Sequence, residues 1–275
     1  MSGTTHMGRH GLEAFIVKGV TFTLLLVLLA PIVMVIAMSF TAATTLQFPP
    51  PALSLHWYEE VWALLAGPDA DFARLTESLI VSLEIAAAAS LVCVLAGVPA
   101  SYAMVRLPFR GRGLIEELLG LPVVFPTVVL GVALLMLISQ SGIDLGMGQI
   151  VIAHSIIGLP FMMRNCMASM RGIDPVLQEA ARTLGASDLR AFFDIVLPLA
   201  RQGIVSGTLL VFIISFNEFT LSYFLYTIDV FPLSIWLFQQ SNTSFSPAIF
   251  AVSTLTILIT VGVILAVDLL AGRRR

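Results

Sequence analysis

The chain has 275 residues, of which 58% are hydrophobic and only 11% are charged, and its mean hydropathy is +0.98. Soluble domains carry about 25% charged residues, so this composition excludes a soluble globular protein and predicts an integral membrane protein. The net charge of −3 is too small to indicate a partner, and we predict no nucleic-acid partner. Cys93 and Cys166 lie in apolar stretches, which favours packing roles over a disulfide framework.

Six apolar stretches are long enough to cross a membrane, which takes about 20 residues each. The predicted spans are residues 19–40, 78–105, 115–139, 149–170, 203–225 and 249–270. If both termini are cytoplasmic, every Lys and Arg except Arg74 falls on the cytoplasmic side, including Arg273, Arg274 and Arg275. This asymmetry predicts an all-α membrane protein with six transmembrane helices and both termini in the cytoplasm.

The first span follows a short polar N-terminus. Its apolar stretch is longer than the core of a signal peptide, which has about 7–15 residues, so we interpret it as a retained anchor. The external stretch after it contains Trp57, Tyr58 and Trp62. These residues fit an amphipathic helix at the membrane interface or an aromatic belt anchor, and we favour the anchor.

Prolines and glycines predict irregularities in the third and fourth spans. Pro122 and Pro126 lie one turn apart and predict a bend in the third span. Because a bend in a membrane requires neighbours that satisfy the freed backbone groups, we expect this helix to be interior. Gly158 and Pro160 predict a break in the fourth span.

The polar gap at residues 171–200 is predicted to form a helix, a turn and a second helix. Asp174 is a suitable N-cap and Pro175 suits the first helical position. This first helix is expected to end at Leu184, where Gly185 supplies a left-handed stop. On spacing alone, the segment fits a helical hairpin loop of many membrane proteins.

A second helix in this gap can start at Ser187 and end or kink at Pro198. The gap also reads Glu-Ala-Ala, three residues, Gly, nine residues, Ile-x-Leu-Pro, without departure from that pattern. The matching residues are Glu179, Ala180, Ala181, Gly185, Ile195, Leu197 and Pro198. This pattern resembles the cytoplasmic signature, or EAA motif, of binding-protein-dependent ABC importer permeases of transmembrane type 1. The resemblance implies that residues 171–200 form a coupling loop, which docks in a cleft of a separate ATPase subunit.

The resemblance implies a type I ABC importer permease fold and a multi-pass protein of the bacterial inner membrane. Residues 1–72 are then the cytoplasmic N-terminus, the first transmembrane helix and an external loop, and residues 73–271 are the permease domain. The implied partners are two ATPase subunits, a second, homologous but different permease subunit and a periplasmic substrate-binding protein. We predict that the chain is not an enzyme. Its only lysine, Lys18, stands between Val17 and Gly19, so a phosphate-binding Gly-Lys-Ser/Thr loop is missing. We expect no metal and no cofactor in this chain, with ATP and magnesium held by the partner ATPase.

Ionisable side chains inside a membrane are costly and therefore indicate candidate sites. Glu84 and Glu218 each lie about seven residues from the outer end of a predicted span, roughly 10 Å below the outer surface. Two carboxylates at one depth could bind a solute with two ammonium groups. Asn217, Phe219 and Tyr223 could add hydrogen bonds and cation–π contacts on this solute path. The alternative is that each glutamate accepts a structural hydrogen bond within the helix bundle.

Three stretches make the chain most similar to the spermidine/putrescine branch of these permeases, namely the signature loop, residues 53–58 and residues 215–219. Polyamine permeases tend to carry paired acids in the last stretch, whereas this chain has Asn217 and Glu218, one acid fewer. Permeases for aminoalkylphosphonates, opines or ferric iron are the alternatives within this class.

Two other classes of protein are less favoured. An ion-driven secondary transporter is usually built from inverted repeats with broken helices, and we find no repeat. A membrane-embedded enzyme would need a nucleophile and base, for which only the adjacent His154 and Ser155 stand together, and these point apart on one helix. We interpret His154 as a core or pore-wall group whose hydrogen bonds are satisfied.

Overall fold

In the computed structural model, the described backbone covers residues 6–66, 73–243 and 246–272. Its helices are α1 (His6–Ser39), α2 (His56–Ala66), α3 (Ala73–Arg106), α4 (Arg112–Val124), α5 (Thr127–Ser141), α6 (Gly148–Arg171), α7 (Pro175–Thr183), α8 (Asp188–Leu199), α9 (Arg201–Asn217), α10 (Thr220–Leu225), α11 (Leu233–Thr243) and α12 (Ala248–Gly272). Within these ranges there is no strand, and the only β-bridge joins Thr41 to Leu53. Arg273, Arg274 and Arg275, which we expected on the cytoplasmic side, lie outside the described residues.

Among the described residues, four helices are each long and apolar enough to cross a membrane: α1 from Ala14 onward, α3, α6 and α12 up to Leu265. Two bent pairs raise the number of candidate spans to six. Helices α4 and α5 meet at 100°, and α8 and α9 meet at 71°. The six predicted spans are therefore recovered if each bent pair crosses as one span. The predicted bend in the third span is confirmed, and it falls at Phe125 and Pro126.

The chain forms two compact units. The first contains residues 1–66 and 240–257, and the second contains residues 67–239 and 258–275. The first unit thus takes in a short stretch that the sequence-based division at residue 72 assigned to the permease domain. In the first unit, the Tyr58 hydroxyl lies 2.7 Å from Ser39 Oγ, and α2 buries Trp57 while leaving Trp62 73% exposed. This pattern fits an amphipathic α2, and the belt-anchor role that we favoured for these aromatic residues stays a prediction.

Helix α6 is the centre of the second unit and packs against both α3 and α9. In its most apolar stretch 61% of residues are buried, against 33% in α3. Small residues let the helices approach closely, as expected where packing rather than the hydrophobic effect holds helices together. One apolar cluster at these crossings consists of Cys93, Val98, Met162, Cys166, Met170, Ile173, Phe192, Val196, Ala200 and Val211.

The predicted break at Gly158 and Pro160 is wrong, because α6 is continuous from Gly148 to Arg171. Gly158 has a packing role instead. A Cβ on it would lie 2.8 Å from Val211 Cγ1 and 3.3 Å from Cys93 Sγ, so only glycine admits these neighbours. Pro160 is buried inside the helix. The loss of a single N–H donor there is tolerated by the packing around it.

The expectation that the bent third span is interior is also wrong for the single chain. Helix α4 has no buried residue, and α5 buries only Gly131. Leu118 and Leu121 of α4 are exposed, as is Val128 of α5. Backbone groups at such a bend need hydrogen-bond partners. Part of this need is met within the bend itself, since Phe125 N–H donates to Leu121 O at 3.1 Å.

Gly203→Ala is expected to destabilise the protein. A Cβ at Gly203 would clash with Ser169 Cβ and lie 2.5 Å from Asn165 O, so α9 and α6 would have to separate. Overpacking of this kind costs about 1–3 kcal/mol. We expect a lower unfolding temperature for the detergent-solubilised protein. The matched control is Gly262→Ala, where a Cβ meets nothing within 4 Å, and an equal loss in both variants would contradict the packing argument.

Candidate coupling loop and solute path

The first helix of the 171–200 loop has the caps that the sequence predicted. The Asp174 carboxylate accepts from Val176 N–H at 3.0 Å, and Pro175 begins α7. Leu184 is the C-cap, and Gly185 follows with φ +92, the left-handed conformation that favours glycine. The prediction for this helix is confirmed at both ends.

The second helix of the loop begins as predicted and continues into a bend. Ser187 Oγ accepts from Arg190 N–H at 3.3 Å and caps α8. The middle of α8, Phe192–Val196, is a π-turn, which the sequence did not predict. Pro198 stands close to the end of α8, where the chain turns by 71° into α9. An exposed ion pair between Arg182 and Asp188 spans the turn between α7 and α8.

The loop is attached to the end of α3 by residues that the sequence analysis did not single out. Gln178 is buried, and its Nε2 donates to the Tyr102 hydroxyl at 3.0 Å. The Tyr102 ring packs edge-on against Phe192 of α8, with centroids 4.8 Å apart. Arg106 donates to Met170 O at 3.2 Å and to Ile173 O at 2.6 Å, which caps the end of α6. The attachment involves residues more than 60 positions apart, so no local pattern could reveal it.

The exposed surface of the loop carries both the predicted residues and several apolar ones. Glu179 and Ala180 are exposed, and the Glu179 carboxylate has no hydrogen bond or ion pair within the described chain. Leu184 is 89% exposed at the tip of the turn, and Leu189 and Phe193 are also exposed. Of the remaining motif residues, Gly185 and Pro198 are exposed, whereas Ala181, Ile195 and Leu197 are half-buried. This surface can accept an apolar partner and offers it an unpaired carboxylate.

The fifth predicted span is not one helix. Helix α9 ends at Asn217, Glu218 has φ −74 and ψ 114, and α10 resumes at Thr220. The prediction of a continuous helix over 203–225 is therefore wrong. The break is stabilised by polar groups around the Glu218 carbonyl, which accepts from Ser222 Oγ at 2.9 Å and from Ser234 Oγ at 3.2 Å. These bonds replace those that a continuous helix would make.

Glu218 occupies the break and is half-buried. Its Oε1 accepts from Leu221 N–H at 3.1 Å, so the carboxylate caps the start of α10. Its second carboxylate oxygen has no partner among the described residues. The structural hydrogen bond expected under the alternative interpretation is thus present, and half of the carboxylate still has capacity for a ligand.

A group of aromatic residues begins at Phe219, directly after Glu218 in the chain. Phe219 contacts Tyr223 and Phe238, with ring centroids 5.5 and 5.0 Å apart, and Tyr223 also contacts Tyr226 at 6.3 Å. Tyr223 is 43% exposed. Asn217 is exposed at the end of α9, and its amide donates to Ile213 O at 2.9 Å. The break therefore combines a carboxylate, an amide and aromatic rings, which are groups that can bind an ammonium ion.

Glu84 lies on the exposed face of α3. The buried face of that helix carries Ser82, which accepts from Leu233 N–H at 2.8 Å, next to the Ser234 that contacts Glu218. Glu84 follows Ser82 by two residues and is therefore rotated about 200° from it around the helix. No hydrogen bond joins Glu84 to Glu218. That the two carboxylates bind one solute together stays a prediction.

His154 is buried, with both ring nitrogens hydrogen-bonded to serines. The interpretation of this residue as a satisfied core group is confirmed. Across the described residues, no three His, Cys, Asp or Glu side chains are grouped so that they could hold a metal ion.

A cavity of about 130 Å³ lies between α4 and α6. Its lining residues are Met104, Glu116, Leu119, Gly120, Pro160, Met163, Arg164 and Met167. Glu116 lies 3.5 Å from Arg171, whereas Arg164 is exposed and has no ion pair or hydrogen bond within the described chain. Arg164 precedes Arg171 by seven residues, about 10 Å along the helix. An arginine at this position inside a candidate span was not singled out by the sequence analysis.

Residues 79–275 match the family described as "Binding-protein-dependent transport system inner membrane component". The chain belongs to this family. The permease is 29% identical over 220 residues to the spermidine/putrescine transport system permease protein PotC of Haemophilus influenzae, covering 80% of this chain and 82% of the relative. It is 34% identical over 198 residues to a probable molybdenum ABC transporter permease protein of Haloferax volcanii, covering 69% of this chain and 73% of that protein.

The fold of the permease matches a chain in the crystal structure of a bacterial ABC transporter involved in the import of the acidic polysaccharide alginate. The TM-score is 0.69 at 18% identity, over 98% of this chain and 99% of the other. The predicted all-α ABC importer permease fold is confirmed. The permease is a multi-pass membrane component of an ABC importer, and the family implies ATPase, binding-protein and permease partners.

Proposed function

We propose that this permease subunit translocates a small cationic solute of the putrescine/spermidine type across the bacterial inner membrane. The observation that carries the proposal is the helix break at Glu218, which presents a half-buried carboxylate with one unpartnered oxygen. The C-terminal end of α9 and the N-terminal end of α10 meet there with opposite partial charges, so the carboxylate decides the sign. A carboxylate favours a cation over an anion.

Aromatic and amide groups support the same class of solute. Phe219 follows Glu218 in sequence and its ring contacts Tyr223, and Asn217 is exposed at the end of α9. An ammonium group can hydrogen-bond to the carboxylate while its methylene chain and charge contact the rings. The relative named for spermidine and putrescine matches over four-fifths of this chain. Aminoalkylphosphonates, opines and ferric iron stay as alternatives, since a carboxylate could serve each.

A separate ATPase pair drives the transport in this proposal. A periplasmic binding protein delivers the solute, and ATP closes the two ATPase subunits, which hold the magnesium and nucleotide. The loop with Glu179 and Gly185 transmits that motion through Tyr102 and Arg106 to α3 and α6. A second, homologous permease subunit completes the pore and covers the exposed α4. Both termini are cytoplasmic, and the bends at Phe125 and Glu218 are the pivots.

A second candidate solute is an oxyanion such as molybdate. It is favoured by Arg164, an arginine in α6 without a partner in the described chain and beside a cavity. An intramembrane arginine is costly and is expected to serve a function. A relative named for molybdenum transport points the same way. We place this candidate second because Arg164 lines a cavity beside α4, whereas Glu218 lies at a helix break within a predicted span.

Recovery of partners from the native cell tests the proposal. We expect a mild-detergent pull-down of the tagged permease to retain an ATPase with a Walker A loop, a second permease and a binding protein. Calorimetry on that binding protein should give a tighter Kd for putrescine or spermidine than for molybdate. Tighter molybdate binding would support the oxyanion candidate, and recovery of the permease alone with uptake intact would contradict an ATP-driven importer.

A further inference from the structure

A single imidazole spans the helix break at Glu218. His154 of α6 is 2% exposed. Its Nδ1 lies 2.8 Å from Ser215 Oγ, near the end of α9, and its Nε2 lies 3.2 Å from Ser222 Oγ, at the start of α10. The two helix segments on either side of the break are thereby joined through one side chain of a third helix.

The hydroxyl protons fix the direction of these bonds. Ser222 Oγ has one proton and donates it to Glu218 O at 2.9 Å, so toward His154 it accepts. Nε2 of the ring must therefore carry the proton, and in a neutral imidazole Nδ1 is then an acceptor. Ser215 Oγ donates to Nδ1. The result is one directed chain of hydrogen bonds from Ser215 through His154 and Ser222 to the carbonyl of Glu218.

Helix α10 is held on α6 at its other end too. Gln149 Nε2 donates to Leu225 O, at the last residue of α10. Leu221 and Leu225 are buried in an apolar cluster with Ile150 and Ala153 of α6. The His154 bond adds a directed polar contact at the first turn of α10, and that turn carries the Leu221 N–H to which the Glu218 carboxylate is bonded.

We propose that His154 is a positioning residue for Glu218, acting through Ser222. Ser215 orients the imidazole so that its proton faces Ser222, and Ser222 holds the Glu218 carbonyl and with it the break. The carboxylate is thereby kept in one place on the solute path. This inference rests on the proposed role of Glu218 in solute binding, although the hydrogen-bond chain itself is testable without any solute.

Two substitutions of His154 remove one bond each. In His154→Gln the amide NH2 reaches about as far as Nε2 and can still donate to Ser222. In His154→Asn the amide oxygen can replace Nδ1 as acceptor for Ser215, but no group reaches Ser222. Ser222→Ala removes the link to Glu218 directly. The matched control is Ser155→Ala, a buried serine on the same helix whose hydroxyl donates only to Val151 O at 2.7 Å.

Hydrogen–deuterium exchange of the whole transporter complex in detergent tests the chain of bonds. In His154→Asn and Ser222→Ala we expect amides of residues 218–225 to exchange about fivefold faster, the effect of losing one hydrogen bond. His154→Gln and Ser155→Ala should exchange like the wild type. Equal exchange in all variants, or faster exchange in Ser155→Ala as well, would overturn the proposal whatever the solute is.

Uptake of radiolabelled putrescine by cells carrying the complete transporter tests the consequence. His154→Asn and Ser222→Ala should raise the half-saturating concentration about fivefold with the maximal rate nearly unchanged, and His154→Gln should restore the wild-type value. The double variant with Glu218→Gln should be no worse than Glu218→Gln alone, since both changes act through one carboxylate. Additive effects, or a fall in maximal rate only, would overturn positioning. If the wild type does not take up putrescine, the proposed solute is contradicted. The positioning role of His154 is then tested by the hydrogen–deuterium exchange rates.

Discussion

Gly185→Pro is expected to abolish solute uptake while the permease still inserts into the membrane. Gly185 has φ +92 and its N–H donates to Arg182 O at 2.9 Å. Proline requires φ near −65° and has no N–H, so the end of α7 must rearrange at a local cost of about 3 kcal/mol. The rearrangement displaces Leu184 and the face carrying Glu179, on which the proposed ATPase contact depends. The measurement is uptake together with ATPase activity stimulated by the loaded binding protein, in proteoliposomes.

Two further variants make this prediction specific. Glu179→Lys reverses an exposed, unpaired charge, so we expect it to abolish uptake without any effect on folding. Gly142→Pro places the same backbone defect at another left-handed glycine, at φ +67 after α5. This control should retain most of the uptake per assembled transporter. Normal uptake by Gly185→Pro or Glu179→Lys would remove the coupling role from this loop.

Glu218→Gln is expected to raise the solute concentration needed for half-maximal uptake by about tenfold to a hundredfold. Hydrogen bonds to charged groups are worth about 1.5–3 kcal/mol, and 1.4 kcal/mol is a factor of about ten. The glutamine oxygen can still accept from Leu221 N–H, so the cap of α10 and the helix break should persist. The predicted defect is therefore in solute affinity and not in assembly, and initial rates of uptake over a range of putrescine concentrations measure it.

Arg164→Gln and Glu84→Gln serve as comparisons in the same assay. Arg164 follows His154 by ten residues, about 15 Å along α6, and His154 contacts the serines on either side of Glu218. If the solute is cationic, Arg164→Gln should therefore leave the half-saturating concentration within about twofold. Glu84→Gln tests whether the exposed Glu84 carboxylate on α3 also contributes to solute affinity. An unchanged affinity in Glu218→Gln with a loss in Arg164→Gln would contradict the cation proposal and favour the oxyanion candidate.

The coupling loop was predictable almost residue by residue because its signals are local. Asp174 and Ser187 cap helices by bonding backbone N–H groups two or three residues ahead. Gly185 ends a helix through its own backbone conformation. The π-turn at Phe192–Val196 was missed, since nothing in those five side chains distinguishes a π-turn from an α-turn. The attachment of the loop to Tyr102 and Arg106 depends on distant neighbours, and its residues carry no local signal.

The residues of the candidate solute path could be named from the sequence, but their arrangement in space could not be predicted. Glu218 stood out because an acid inside an apolar span is costly. The break that places it was not foreseen, because no proline or glycine occurs between Ser215 and Leu225. The break is stabilised by Ser222 and Ser234, which donate hydrogen bonds to the Glu218 carbonyl. Ser215 is bonded to His154, which lies 61 residues earlier in the chain, so no local pattern could indicate this contact. Conversely, Pro160 suggested a break where packing against α9 keeps α6 continuous.

The amino-acid sequence by itself determined that this protein is a helical membrane protein, where its apolar spans lie, and which loop carries the family signature. These properties follow from hydropathy, helix caps and residue spacing, all of which act over a few residues. Only the tertiary structure decided that α6 is the central helix, that Tyr102 and Arg106 hold the coupling loop, and that the fifth span breaks at Glu218. Those outcomes depend on which backbone and side-chain groups find hydrogen-bond partners on other helices, and that is fixed only when the helices pack.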